Sequence, residues 1–112
     1  MDVKQIASRL GLEENDIYDV LELFIQTVPS DLMKMTAAFN NQDTVQVGEA
    51  AHSLKGSTGT LGFMDISKYA QLIMKQSREK RIEELTQTVP PFLNQMKDLF
   101  LEIEEVLKSR QF

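Results

Sequence analysis

The spacing of apolar residues restricts this chain more than any other feature. Ile17, Val20, Leu21, Phe24, Ile25, Val28, Leu32, Met35 and Phe39 follow one another mostly in steps of three and four, which aligns them as one stripe on a helix of 3.6 residues per turn. A second stripe runs through Ile82, Leu85, Val89, Phe92, Leu93, Met96, Leu99, Phe100, Ile103, Val106 and Leu107. Its phase holds across Pro90-Pro91, which favours one kinked helix, although two adjacent prolines are also the ordinary signal for a break. Pro29 poses the same question in the first stripe. No segment alternates with a period of two, so the pattern predicts an all-α fold: an up-and-down four-helix bundle with a short extra N-terminal helix.

Capping chemistry marks the shorter helices. Asp2 with Gln5 can open the N-terminal one, and Gly11 can end it. Asp43 with Gln46 three residues later has the form of an N-cap and capping-box start, while Gly62 suits the left-handed residue beyond a helix end. Asp65 can cap the next helix, which buries Ile66, Tyr69, Ala70 and Ile73 and ends near Ser77 or Arg78. One fragment recurs: Gln26-Thr27-Val28-Pro29 with Leu32 and Met35 returns as Gln87-Thr88-Val89-Pro90 with Leu93 and Met96. A solenoid needs three or more repeats, so the echo leaves coincidence, shared packing needs and an ancient duplication open.

With 112 residues there is room for one domain, residues 1–112, and not for two lobes with a cleft between them. Hydrophobic residues at 42% and charged residues at 26% give a globular balance that can bury a core. Without cysteine, and with a single histidine, the chain has no disulfides, thiolate metal site, cysteine nucleophile or multi-histidine site. No metal or other cofactor is expected in it. A net charge of -5 and a pI near 4.8 argue against nucleic acid as a partner, since phosphate contacts need a basic surface. No apolar run has the length of a membrane span or the form of a signal peptide, and the final Lys-Ser-Arg-Gln-Phe carries no lipidation signal. A cytoplasmic monomer with no membrane partner is expected.

The third helix carries the unusual chemistry. At about 100° per residue, Val47, Ala50, Leu54, Ser57, Thr58 and Leu61 share one side, and His52 lies almost opposite Leu54. The same outer face holds Val45, Gly48, Glu49, Lys55, Gly56 and Gly59. Three mid-helix glycines cost about 3 kcal/mol relative to alanine, so an offsetting role is expected for Gly48, Gly56 and Gly59. Clearance supplies one: with side chains shaved away around an exposed imidazole, another macromolecule can bring a reactive group up to it. A free imidazole is largely neutral and nucleophilic at pH 7. Lys55, one turn on, places a compact cation where an anion carried by the imidazole would sit. Residues 52–81 hold six basic side chains against two acidic ones, a balance of +4 that leaves -9 elsewhere, so an acidic partner or a phosphoryl group is attracted there.

The segment Ala51-His52-Ser53-Leu54-Lys55-Gly56-Ser57-Thr58-Gly59-Thr60-Leu61-Gly62 closely resembles the signature of histidine-containing phosphotransfer domains, H-x-L-K-G followed by small residues and a closing glycine. Phe24, Pro29, Leu32, Ala38 and Asp43 add less specific family features. The resemblance implies that His52 is the phosphoacceptor, that Lys55 steadies the phosphoryl oxygens and that Gly56 gives the partner room. It further implies a phosphoryl carrier, not an enzyme, with receiver domains of response regulators or hybrid histidine kinases as partners and Mg²⁺ on the receiver. Gly48, Gly59, Lys68, Gln71 and Lys75 are candidate clearance or docking positions. One departure stands out. Many members place a polar residue, often Gln, on the following helix to hold the second imidazole nitrogen, and here that position is Met74. Gln71, one turn earlier, is a substitute candidate, with a water or no partner as the alternatives. Two other functions share the pattern: a helical adaptor that binds a kinase or receiver without taking phosphate, and the N-terminal phosphotransfer piece of a chemotaxis-type histidine kinase. A hydrolase with His52 as base would lack a nucleophile, an oxyanion site and a second acid-base group.

Overall fold

The computed structural model describes residues 1–110 and consists of α1 (Val3–Leu10), α2 (Glu14–Asn40), α3 (Thr44–Thr60), α4 (Met64–Arg78) and α5 (Ile82–Ser109), with no strand among the described residues. Gln111 and Phe112, the end of the segment expected to carry no lipidation signal, lie outside them. The helices α2, α3 and α4 each pack on the next in the chain, α5 returns onto α2, and α1 lies on α2. Their apolar stripes meet in one core containing Ile17, Leu21, Val28 and Met35 from α2, Val47 and Leu54 from α3, Ile73 from α4, and Val89, Phe92, Met96 and Ile103 from α5. Removing each such side chain from water contributes about 1.5–3 kcal/mol. Both copies of the internal echo bury their Val and their Met, at Val28 and Met35 and at Val89 and Met96.

Four helices end in the same way. Beyond α3, the Gly62 N–H donates to the Gly59 carbonyl (3.0 Å) and the Phe63 N–H to the Thr58 carbonyl (2.9 Å), the paired bonds of a Schellman motif. The ends of α1, α2 and α4 repeat this pattern. Gly11 and Gly62 occupy the left-handed position after α1 and α3, at φ 69° and 81°, but after α2 and α4 it is held by Gln42 (φ 56°) and Lys80 (φ 55°). For a non-glycine residue that conformation costs about 1–2 kcal/mol.

One cap differs from expectation. Phe63, not Asp65, occupies the N-cap of α4, with no side-chain capping bond, and Asp65 sits inside the first turn. The reason is the Schellman bond from Phe63 back to Thr58, which brings the chain straight into α4. Phe63 also packs edge-on against Phe24, with ring centroids 6.3 Å apart. Asp65 acts there as a negative charge near a helix N-terminus. Asp2 and Asp43 do cap, accepting from the Gln5 and Gln46 N–H groups at 3.2 and 3.1 Å.

The prolines do not divide the long helices: α2 continues through Pro29 and α5 through Pro90 and Pro91. The carbonyls that Pro90 and Pro91 leave without a helical donor belong to Thr86 and Gln87, both exposed residues, so water can satisfy them. Just beyond, Tyr69 of α4 donates its hydroxyl to the Thr88 carbonyl at 2.8 Å, and the Thr88 hydroxyl donates to Gln76 at 2.7 Å. These bonds tie the proline region of α5 to α4.

Candidate functional site

His52 is exposed near the middle of α3, while Leu54, on the opposite side, has no exposed surface. A helical side chain leans toward the N-terminus of its helix, which carries the imidazole over Gly48, one turn back. There it borders an open groove of about 440 Å³, lined also by Val45 and Glu49 from α3 and by Met74, Ser77, Arg78 and Lys80 from the end of α4 and its following turn. Among the described residues the His52 side chain makes no hydrogen bond.

The three glycines have separate jobs. A Cβ on Gly48 would stand 3.2 Å from the Ser77 Cβ, and one on Gly59 would stand 3.2 Å from the Ser67 Oγ, whereas one on Gly56 would meet nothing within 4 Å. Gly48 and Gly59 therefore permit the close, antiparallel approach of α4 to α3, and clearance as their common purpose is corrected: only Gly56 opens directly onto free space. Helix phase alone could not separate these roles, because the half-buried rim of an outer face looks like its centre until the neighbouring helix is placed. Gly48→Ala is expected to lose about 1 kcal/mol net, since overpacking of about 1–3 kcal/mol exceeds a helix-propensity gain of about 1 kcal/mol. Gly56→Ala should instead gain stability, and urea melts of the two variants make the comparison; equal stabilisation by both would mean that α3 and α4 lie farther apart.

Beyond His52 the backbone of α3 is unusually well bonded. The hydroxyls of Ser57, Thr58 and Thr60 donate to the carbonyls of Ser53 (3.1 Å), Leu54 (2.8 Å) and Gly56 (2.8 Å). Ser67 reaches across from α4 to the Lys55 carbonyl at 3.1 Å. Four successive carbonyls thus carry a side-chain hydroxyl; three of these bonds run back within α3, where they slightly weaken and can bend a helix, and the fourth, from Ser67, ties α3 to α4.

The electrostatics around the groove are asymmetric. On the α2 side, Asp31 accepts from the Ser53 hydroxyl at 2.6 Å, and Glu49 pairs with Lys34 at 3.5 Å. Among the described residues Lys55, Arg78 and Lys80 make no ion pair, while Arg81 pairs with Glu79 and Glu84. An anion brought to the groove beside His52 therefore meets Arg78 and Lys80, while the carboxylate that lines the groove, Glu49, is paired with Lys34.

Of the remaining candidates, Lys55 is half-buried one turn from His52, and Gln71, Lys68 and Lys75 are exposed on α4. None of these four lines the groove. The register fixed by Gly48 against Ser77 and Gly59 against Ser67 sets Gln71 nearly level with Lys55 and sets Met74 level with His52, where it lines the groove. For Arg78 and Lys80 the sequence signal is only the basic run of residues 52–81, and for Ser77 there is none.

A family model for the Hpt domain matches residues 19–107, from the first turns of α2 to the last turns of α5. The chain belongs to the Hpt domain family, the histidine-containing phosphotransfer domains of two-component signalling. Its fold is similar to that of histidine-containing phosphotransfer protein B (HptB) from Pseudomonas aeruginosa PAO1, with a TM-score of 0.74 and 23% identity over 98% of this chain and 92% of that one. A comparison with curated proteins returns no match. No helix among the described residues is long and apolar enough to cross a membrane.

Proposed function

We propose that this chain is a phosphoryl carrier in a two-component phosphorelay, with His52 as the group that is loaded and unloaded. The observation that carries this reading is the exposed imidazole, set one turn from Lys55 and beside the unobstructed Gly56. The Nε2 lone pair of His52 attacks the phosphorus of a receiver's aspartyl phosphate. The N–P bond forms as the acyl O–P bond breaks, and the aspartate leaves as carboxylate. Reversal on a second receiver unloads the histidine. Positioning and charge neutralisation supply the catalysis in such a transfer.

The sequence has no phosphate-binding loop, and no cluster of carboxylates at metal-binding spacing surrounds His52. Nucleotide and Mg²⁺ therefore belong to the partners, and the chain serves as a stoichiometric intermediate, not an enzyme. On this reading residues 1–112 act as one domain, α2 to α5 form the up-and-down bundle with α1 as its addition, and the protein works in the cytoplasm as a monomer that docks receiver domains of response regulators or hybrid histidine kinases.

Incubating the purified protein with the host's receiver domains and a phosphodonor, then comparing transfer rates, tests the proposal and identifies the partner. Lys55→Ala should slow transfer about tenfold, the equivalent of one charge-assisted contact of about 1.5 kcal/mol, with little change in melting temperature. An unchanged rate would reduce Lys55 to a solubilising residue, and failure of every receiver to label the parent protein would leave the bundle an adaptor.

A further inference from the structure

The turn between α4 and α5 holds a residue that local physics disfavours. Lys80 occupies the left-handed position of the Schellman motif after α4, at φ 55°, where its N–H donates to the Ser77 carbonyl and the Arg81 N–H to that of Gln76. Glycine takes the same position after α1 and α3, as Gly11 and Gly62, and does so without strain. A lysine there weakens the turn, so its side chain calls for an account. Its surroundings give one. Lys80 and Arg78 line the groove beside His52, which extends to Thr44 and Val45 at the start of α3. The groove offers apolar surface between these ends, with Met74 half-buried and Val45 exposed. Charge is sorted across the turn. Arg81 holds the neighbouring carboxylates, Glu79 at 3.2 Å and Glu84 at 3.1 Å, and none of these three residues lines the groove. The cations left on the groove side, Lys80 and Arg78, are exposed.

We infer that Lys80 is a docking and selectivity residue for the receiver partner. The groove from His52 toward Val45 seats an apolar side chain of the receiver, and Lys80, with Arg78, meets carboxylates that flank it. Val45 precedes His52 by seven residues, about 10 Å along a helix, so a cation at that end serves the docked domain and not the phosphoryl group. A receiver with lysine or arginine at the same contact is repelled, which makes Lys80 a filter between receivers as well as an anchor. The strained backbone is retained because glycine, the residue that would relieve it, carries no charge.

This inference rests on the phosphotransfer reading for the identity of the partner, and Lys80→Gly, Lys80→Arg and Gln42→Gly test it. Gln42 holds the equivalent left-handed position after α2, at φ 56°, and lines a different cavity, with Phe39 and Leu85. Both glycine variants should melt about 2–4 °C higher, because relief of the left-handed strain outweighs the freedom that glycine adds to the unfolded chain. Only Lys80→Gly should lose transfer. Its second-order rate with the receiver that labels the parent fastest should fall about fivefold at low ionic strength, the most that one exposed ion pair is worth, and the gap should close at high salt. Lys80→Arg keeps the charge and should keep the rate. Phosphoramidate, which needs no docking surface, should label all four proteins alike. Titrating each protein with the host's unphosphorylated receiver domains, followed by nitrogen-15 NMR, measures docking apart from transfer. Transfer and affinity unchanged in Lys80→Gly overturn the inference, as does an equal loss in Gln42→Gly. A receiver whose affinity falls only in Lys80→Gly, but which never phosphorylates the parent, would uphold the docking residue and remove the phosphotransfer reading instead. A parent that binds no receiver overturns both.

Discussion

His52→Gln should fold as the parent does and accept no phosphate. The imidazole is exposed and hydrogen-bonded to nothing among the described residues, so its removal leaves the core intact, and glutamine is at least as good a helix former as histidine. Stability should change by no more than about 0.5 kcal/mol, the range of surface substitutions away from special features. Phosphorylation should fall to background, because glutamine offers an amide where the transfer needs a nitrogen lone pair. Circular dichroism and radiolabel transfer from a receiver, with the label tested for the acid lability of a phosphoramidate, check the two halves together. Retained labelling would place the acceptor elsewhere in the chain.

Replacing Gly56 with Ala, Gln and Arg should move stability and transfer in opposite directions. Each is a better helix former than glycine by several tenths of a kcal/mol or more, and a Cβ at this position meets nothing within 4 Å, so thermal stability should rise by a few degrees. Transfer from a receiver should fall in the order Ala, Gln, Arg, by roughly 100-fold for Arg if blocked docking costs about 3 kcal/mol. Phosphoramidate is small and should still label His52 in the Arg variant at a rate close to that of the parent. Receiver transfer to the Arg variant at the parental rate would show that open space at Gly56 has nothing to do with docking. Loss of folding would mean that the glycine faces a neighbour. Gly48 and Gly59 form the contrast, since added side chains there press on Ser77 and Ser67 and should weaken the fold before they affect a partner.

The sequence was most informative where physics is local. The apolar stripes of α2 and α5, the caps at Asp2 and Asp43 and the left-handed glycines at Gly11 and Gly62 all depend on residues within a few positions of one another. The exposure of His52 belongs with them, because helix phase sets it relative to Leu54. Local signals failed where a short connection between packed helices overrode them. Gln42 and Lys80 take left-handed positions without the glycine that would announce them, and Asp65 lost its cap to the Schellman turn at Phe63.

Helix periodicity was enough to establish the helical character of the chain, the face on which His52 stands and the companions that share it on the same helix, Lys55 and Gly56. Which glycines are contacts and which is open, which cations border the groove, and that Ser77 lines the same groove as His52 emerged only from the packing of α4 on α3. The cause is register. A helix fixes the angles of its own side chains through hydrogen bonds four residues apart, but the slide and separation of α4 against α3 depend on the shapes of both surfaces at once. Gly48 meets Ser77, and Gly59 meets Ser67, only after the helices have packed.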